Sequence, residues 1–431
     1  MVSFQEFKRA MTNGRELISM EQGMELLNRN ASSLNVVVVS RIKGFLSEAV
    51  LRHSLDLLQN RHPLLNCHIV GSLKRMNFKS EGTKKIPLNT IINSKKNFWK
   101  AVVNHELQTK IESDKVLVRF TLIKSHPDSN SSCLISTAHH AITDAISSLN
   151  LHSETINYCQ LQVSEKKILE TFSLLEIPSL ESLISKNIPK SLGFERPIQK
   201  PDTIPFEKYV NHQQRYCRFV QKQLDSELTN QLIKFCKTER VTVHGYICAA
   251  MMLALAEELE YKNKYFDFSC RSSVDMRRRI NPPVSSEYFA MLVSALTSFH
   301  RVTRKQNIWQ LAREVTQQIK NRLKTPEIYN VILSYRKGTE YILKHPEKTA
   351  FSVFVTNVGK IDITSEFKNF EIEEISYFLP TTIMGNVFGA SISTFKGKIT
   401  FNFLFSRPLI GEGLSQSLVK KTLSYFSLSN N

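Results

Sequence analysis

The strongest chemical pattern in the chain is a pair of adjacent histidines followed, four residues after the second, by an aspartate. The apolar run at residues 133–138 predicts a buried strand, which leads directly into His139 and His140. Strands seldom end on two histidines, because burial disfavours charged imidazole and leaves ring nitrogens that need partners. Asp144 would lie in the first turn of the next helix, where the helix dipole favours a carboxylate. The pattern therefore suits a general base that takes a proton from a hydroxyl or an amine.

A structural interpretation competes with this one. Two hydrogen-bonded core or loop histidines, with an ordinary acid at a helix start, would give the same string. His244 is the second candidate for a functional histidine. It begins a helix of small and apolar residues with no carboxylate at a useful spacing, which favours a structural role.

Length and composition describe a soluble protein of two ordinary domains. The chain has 431 residues, of which 42% are hydrophobic and 22% charged. Its longest apolar runs, at residues 36–39 and 249–256, fall far short of the roughly 20 residues that cross a bilayer. Charged residues interrupt the amino terminus, so it does not have the pattern of a signal peptide. We expect a cytoplasmic protein.

The cysteines and the net charge limit the choice of cofactor and partner. Seven scattered cysteines include no CxxC pair and no zinc spacing, so we expect reduced thiols and no metal. The formal charge of +18 suits a polyanionic partner such as nucleic acid, an anionic membrane, coenzyme A or an acidic carrier protein. No zinc-finger, RRM or bZIP pattern is present, and nucleic acid is not predicted.

Periodicity predicts strands and helices in alternation along both halves. The predicted strands lie at residues 35–40, 64–70, 116–124, 133–138, 216–224, 266–273, 351–359, 387–395 and 399–405. The predicted helices lie at residues 47–61, after Asp144, and at 226–238, 242–254, 308–323 and 414–425. These elements predict a mixed α/β fold with an N-terminal domain at residues 1–175 and a C-terminal domain at residues 213–431. The prolines between them indicate a linker at residues 176–212.

Several segments, spread over nearly the whole chain, resemble the characteristic segments of one protein family. They are the string from His139 to Ala145, Arg61-His62-Pro63-Leu64-Leu65, residues 242–245, residues 274–278 followed by Pro282-Pro283, residues 356–359 and the hairpin at 397–401. This pattern resembles the condensation-domain superfamily of thioester-dependent acyltransferases. Within it the chain is similar to the polyketide synthase-associated acyltransferases of the phthiocerol dimycocerosyl transferase type and to alcohol O-acetyltransferases. The specific motif is HHxxxDG, whose final glycine is Ala145 here.

The resemblance implies two chloramphenicol-acetyltransferase-like domains with a channel between them. In that arrangement His140 is the catalytic base, and His139 is a supporting residue. Asp144 is structural and needs a buried cation, for which the resemblance indicates Arg277.

Four further residues take secondary roles in the same arrangement. Arg271 is the alternative partner of Asp144, and Asp275 could pair with either arginine. Thr356 and Asn357 could stabilise an oxyanion or hold the strand that bridges the channel.

The implied reaction moves an acyl group from a thioester to an acceptor hydroxyl and makes an ester. The donor would be acyl-CoA or a phosphopantetheinyl carrier protein, used as a co-substrate, with no tightly bound cofactor and a monomeric enzyme. A role in lipid, polyketide or secondary metabolism follows from the resemblance. The absence of GxSxG, Walker A, GxGxxG and HExxH patterns leaves acyl-enzyme, ATP, nicotinamide and zinc chemistry unsupported. The alternatives are an amide-forming condensation enzyme and an inactive relative that serves as a carrier-protein docking scaffold.

Overall fold

Helices cover mixed β-sheets in this chain, whose structure is a computed structural model. It describes residues 14–31, 34–165, 173–174, 178–184, 200–260 and 264–427, so much of the predicted linker at 176–212 lies outside the described residues. The strands are β1 (Arg15–Glu16), β2 (Val36–Lys43), β3 (His68–Ser72), β4 (Arg75–Lys79), β5 (Leu88–Ile92), β6 (Val118–Lys124), β7 (Ser131–Ala138), β8 (Tyr216–Gln223), β9 (Phe266–Asp275), β10 (Val293–Val302), β11 (Val353–Lys360), β12 (Glu371–Phe378), β13 (Phe388–Phe395) and β14 (Lys398–Arg407). The helices are α1 (Ser19–Asn30), α2 (Glu48–Arg61), α3 (Phe98–Glu106), α4 (Ala145–Glu165), α5 (Leu180–Ile184), α6 (Ser226–Thr238), α7 (Val243–Glu258), α8 (Ile308–Arg322), α9 (Glu327–Lys344) and α10 (Glu412–Ser424). The predicted mixed α/β class is confirmed.

The first large sheet has the order β12-β2-β7-β6-β5 and carries the histidine pair. Strands β2, β7 and β6 are antiparallel neighbours, and β5 runs parallel to β6. Four consecutive valines begin β2, because β-branched side chains pack well on a pleated surface. Strand β7 lies at the centre of this sheet and is hydrogen-bonded on both sides. Its carboxyl end is therefore rigidly placed.

The second large sheet has the order β10-β9-β11-β13-β14-β8. Strand β11 runs parallel to both β9 and β13, and the other pairs are antiparallel. Helix α7 packs against this sheet and is buried continuously from Gly245 to Ala256. A helix that is apolar all round belongs inside a core, as its sequence predicts. A smaller sheet of β1, β4 and β3 completes the strands of the described residues.

Strand β12 joins the two halves of the chain. It comes after the predicted linker in sequence, yet it pairs antiparallel with β2 at the edge of the first sheet. The predicted domain at residues 213–431 therefore contributes one strand to the sheet of the other half. The linker at 176–212 remains a prediction about where the two domains divide along the sequence. The first large sheet contains strands from both sides of it.

Some elements differ from the sequence predictions for physical reasons. The strand predicted at residues 64–70 begins only at His68, because Pro63 starts a short 3₁₀ turn that ends at Leu65. Strand β12 was missed because a bulge between Ile372 and Glu374 shifts its register and breaks the alternation of buried residues. Strands β1, β4, β5 and β10 and helices α3, α5 and α9 were also not predicted.

His152 makes the stability of the first large sheet depend on pH. It lies fully buried on α4, with Nε2 2.7 Å from the Ser136 hydroxyl on β7, and its Nδ1 contacts the Ser40 hydroxyl on β2. Burial lowers the pKa of His152 to about 3. In the folded protein this imidazole is therefore neutral at every ordinary pH.

We expect the free energy of unfolding to fall as the pH is lowered from 7 to 5. In the unfolded chain His152 binds a proton below about pH 6.5, whereas in the folded protein it stays neutral. Acid therefore favours the unfolded state, by roughly 2 kcal/mol for this one histidine. Urea unfolding at both pH values, in the wild type and in His152→Gln, measures the effect. His126→Gln removes an exposed histidine and is the control; an equal acid-induced loss in His152→Gln and the wild type would contradict this account.

Candidate active site

The histidine pair lies where β7 ends and the chain turns into α4. Ala138 closes the strand and pairs with Val36 on β2 and with Val118 on β6. The amide of His139 still donates to the Leu117 carbonyl (2.8 Å), so the pair continues the sheet by one residue. Both imidazoles are consequently held at the end of a central strand.

His140 has the hydrogen bonding expected of a general base. Its Nδ1 lies 2.7 Å from the Thr143 carbonyl oxygen, which can only accept, so Nδ1 carries the hydrogen. Burial lowers the pKa of His140 below its ordinary value, and the Thr143 carbonyl and the Asp144 carboxylate offset this only in part. The side chain is neutral at pH 7, and its unprotonated Nε2 has no hydrogen-bond partner among the described residues. The residue is 7% exposed, against 2% for His139.

His139 is held in the opposite tautomer. Its Nδ1 accepts a hydrogen bond from the Ala141 amide (3.0 Å), so its hydrogen lies on Nε2. That Nε2 lies 2.9 Å from Oε2 of Glu25 on α1. The contact has the distance but not the angle of a good hydrogen bond, and both atoms lack another partner in the described chain. With both ring nitrogens engaged by the protein, His139 supports the site rather than acting as a base.

Asp144 is bound by an arginine fork from the other half of the chain. Arg277 donates from Nη1 to Oδ2 (2.9 Å) and from Nη2 to Oδ1 (3.0 Å), and both side chains are buried. The charges of Asp144 and Asp275 raise the pKa of Arg277, although burial alone would lower it. A bidentate pair satisfies both ions geometrically as well as electrostatically.

Three backbone groups and a hydroxyl complete the surroundings of this ion pair. The Ser147 amide donates to Asp144 Oδ1 (2.9 Å), which caps α4, and the Leu292 amide donates to Oδ2 (2.8 Å). The Ser147 hydroxyl accepts from Arg277 Nη2 (2.7 Å) and from the Ala290 amide (3.1 Å). Asp144 therefore fastens the start of α4 to the segment between β9 and β10.

The two secondary residues near this pair have different surroundings. Asp275 accepts from Nη1 of Arg277 (3.0 Å) but is partly exposed. Arg271 donates to the Thr297 hydroxyl (3.0 Å) and stacks over the Phe351 ring. Arg277, and not Arg271, is the arginine that the structure places against Asp144.

Thr356 and Asn357 make their hydrogen bonds away from the histidines. The carbonyl of Thr356 accepts from the Tyr377 hydroxyl (2.7 Å), which ties β11 to β12. The side chain of Asn357 accepts from the Gly359 amide (2.8 Å) at a bulge in β11. Within the described residues, no hydrogen bond or ion pair joins either of them to His140.

His244 has a structural environment in the second half. Its Nε2 lies 2.8 Å from the Ser272 hydroxyl on β9, and burial lowers its pKa to about 4. No carboxylate contacts it in the part of the chain that the structure describes.

The structure also places residues that the sequence interpretation did not select. Glu25 lies against His139, Ser147 lies against the ion pair, and Thr143 fixes the tautomer of His140. Glu25 and Glu21 stand four residues apart on α1 and are both buried. No local sequence signal could have identified Glu25, because acidic residues of an amphipathic helix ordinarily lie on its solvent face.

Two features of other protein classes are absent from the described residues. Among them, no group of three or more histidine, cysteine, aspartate and glutamate side chains is arranged to hold a metal ion. No helix among them is long and apolar enough to cross a membrane. An open cleft of about 490 Å³ lies beside Asn30, His212 and Lys344, and none of the residues described above lines it.

Several solved structures share the fold of this chain. Polyketide synthase associated protein 5 from Mycobacterium tuberculosis is 16% identical, with 96% of this chain and 97% of that chain covered and a TM-score of 0.69. TRI3 trichothecene 15-O-acetyltransferase from Fusarium sporotrichioides is 13% identical, with 96% and 95% covered and a TM-score of 0.73. The condensation domain of the monacolin K polyketide synthase MokA is 11% identical, with 96% of each chain covered and a TM-score of 0.66. The chain thus shares the two-domain fold of these three proteins.

A family model gives a more specific match. Residues 213–403 match the phthiocerol/phthiodiolone dimycocerosyl transferase C-terminus. No curated protein matches the chain by sequence comparison. The resemblance that the sequence predicted, to acyltransferases of the condensation-domain superfamily, is confirmed by this match and by the shared fold.

We expect Asp144→Asn to lower the free energy of unfolding by about 3–5 kcal/mol, because it leaves the Arg277 guanidinium buried without its main counter-ion. Asp275→Asn removes a carboxylate from the same guanidinium, but its side chain is 36% exposed. The Asp275→Asn variant should therefore lose about 1 kcal/mol or less of its free energy of unfolding. Urea unfolding of both variants measures the difference, and equal stability of the two would show that the Asp144 ion pair contributes no more than a surface contact.

Proposed function

We propose that this chain is an acyltransferase that moves an acyl group from a CoA or carrier-protein thioester to an acceptor hydroxyl. The observation that supports this best is the Nδ1 hydrogen bond of His140 to the Thr143 carbonyl (2.7 Å). It leaves Nε2 unprotonated on a ring whose pKa burial keeps below its ordinary value. Such a ring is a general base at neutral pH.

In the proposed reaction His140 first accepts a proton and later donates the same proton. Nε2 takes the proton from the acceptor hydroxyl as its oxygen attacks the thioester carbonyl carbon. The tetrahedral intermediate then collapses, the carbon–sulfur bond breaks, and the thiolate takes the proton from the imidazolium. The products are an ester and a free thiol, and no acyl-enzyme forms.

The other residues of the proposal hold this geometry. Asp144 and Arg277 are assigned a structural role, because each is the buried counter-ion of the other. Thr356 and Asn357 are assigned the role of holding β11, the strand that borders the proposed channel. Thr356 is hydrogen-bonded to Tyr377 on β12, and Asn357 is hydrogen-bonded to Gly359 within β11.

The choice of substrates rests on charge and on relatives. A formal charge of +18 suits the phosphates of coenzyme A or the acidic surface of a carrier protein. An O-acetyltransferase is among the proteins with this fold, which supports a hydroxyl acceptor and a role in lipid, polyketide or secondary metabolism. The shared fold with a condensation domain supports amide formation as the second candidate.

A substrate panel with two histidine variants tests the proposed base. Acyl-CoAs and acylated carrier proteins are offered with alcohols and amines, and products are read by mass spectrometry. We expect His140→Gln to lower kcat by about 10²–10⁴-fold, since general-base catalysis contributes that much. His244→Gln removes a partly buried histidine of the other half and should keep its activity. Unchanged turnover in His140→Gln would refute the assignment, and amide products alone would favour the second candidate.

The pH dependence of the reaction should follow the neutral form of His140. The base works only when unprotonated, so kcat/KM should fall on the acid side with a slope of one. Because burial lowers the pKa of His140, this fall should begin below the ordinary histidine value of about 6.5. Rate profiles between pH 4 and 8 measure it, with buffers chosen so that the protein stays folded. A midpoint above 6.5 would be inconsistent with the buried, neutral ring.

A further inference from the structure

Glu25 is a carboxylate that the proposed reaction does not use, yet it lies directly against the histidine pair. It stands in the middle of α1 and has an exposed fraction of 0%. The Ser113 hydroxyl donates to its Oε1 (2.6 Å), as does Nε of Arg29 (2.6 Å), and His139 Nε2 lies 2.9 Å from its Oε2.

These contacts keep the carboxylate charged in the interior. Burial alone would raise the pKa of Glu25, but His139, Ser113 and Arg29 outweigh it and lower the pKa to about 2. A buried ion pair is often no more stabilising than an apolar residue of the same shape. Packing therefore does not require an acid at this position.

The contacts of His139 extend from Glu25 to the backbone around His140. The Ala141 amide donates to Nδ1 of His139, so the remaining ring hydrogen lies on Nε2 and faces Glu25. The Ile142 amide donates to the His139 carbonyl (3.1 Å). The turn that contains His140 is thus built on His139, and the ring of His139 is anchored by Glu25.

We propose that Glu25 is a positioning residue for His140, acting through His139, whose ring it orients and whose Nε2–H tautomer it selects together with the Ala141 amide. The inference rests on the proposed function, since it takes His140 as the base. Glu25 itself touches no reacting atom. In a Glu25→Gln variant the amide oxygen stays where it accepts from Ser113 and Arg29, so an amide N–H faces the Nε2 hydrogen of His139. The ring then turns, and the His140 turn loses its anchor.

Glu25→Gln keeps the shape of the side chain and removes its charge. We expect kcat to fall on the order of tenfold to a hundredfold with little change in KM, because small displacements of a catalytic group cost that much. In protein labelled with ¹⁵N-histidine, His139 should show the Nε2–H tautomer, and this signature should be lost in Glu25→Gln. Glu106→Gln is the matched control: it removes another buried carboxylate, paired with Arg119 (2.6 Å), and should change neither readout.

A double-mutant cycle separates positioning from general stabilisation. If Glu25 acts through His139, Glu25→Gln combined with His139→Asn should lose no more kcat than the more damaging single variant. Losses that add, or a His139 tautomer unchanged in Glu25→Gln, would overturn the inference. Rates are referred to the folded fraction, and Glu25→Asp replaces Glu25→Gln if the latter does not fold. Failure of both to fold would show a purely structural role and also overturn it.

The same experiments distinguish this inference from the proposed function. If the wild-type protein transfers no acyl group to any acceptor, the proposed function fails. The ¹⁵N spectrum of His139 would then still show whether Glu25 controls the tautomer of this ring. If transfer occurs but Glu25→Gln is fully active, only the positioning role fails.

Discussion

The buried fork between Asp144 and Arg277 is the interaction on which the rest of this structure depends. Two charges taken out of water are tolerated only if each finds its counter-ion and its remaining hydrogen bonds. The Asp144 oxygens accept four such bonds, two from Arg277 and one each from the Ser147 and Leu292 amides. Because Asp144 caps α4 in one half and Arg277 follows β9 in the other, these requirements constrain how the two segments lie against each other. The ion pair therefore helps to hold these two segments in one arrangement.

The elements that carry the site were predictable because their local signals agree with their tertiary environment. Strand β7 is apolar and bounded by turns, and α7 is apolar on every side, so each reads as a core element without further information. Arg277 could be chosen over Arg271 only through the family resemblance. The structure shows the physical difference: the 3₁₀ turn after β9 directs Arg277 towards α4, whereas Arg271 lies within the strand and is held by Thr297.

Other features were not predictable because they depend on contacts between distant parts of the chain. Strand β12 is an edge strand with glutamates and a bulge, so its alternation becomes meaningful only when it is paired with β2. Glu25 is 114 positions from His139 in the sequence, and an acid within an amphipathic helix is ordinarily solvent-exposed. Local periodicity gives no information about which buried hydrogen it faces.

The two adjacent histidines show why such distant contacts matter for chemistry. Their rings have the same intrinsic proton affinity, and they follow one another at the end of one strand. The protein makes them different by what it offers each Nδ1: a backbone amide to His139 and a backbone carbonyl to His140. An amide forces the hydrogen onto Nε2 of His139, where it meets Glu25, while a carbonyl draws it onto Nδ1 of His140 and leaves Nε2 as a base. A local turn of five residues thus selects opposite tautomers, and only the ring of His140 is left with an unprotonated Nε2 that no group of the described residues engages.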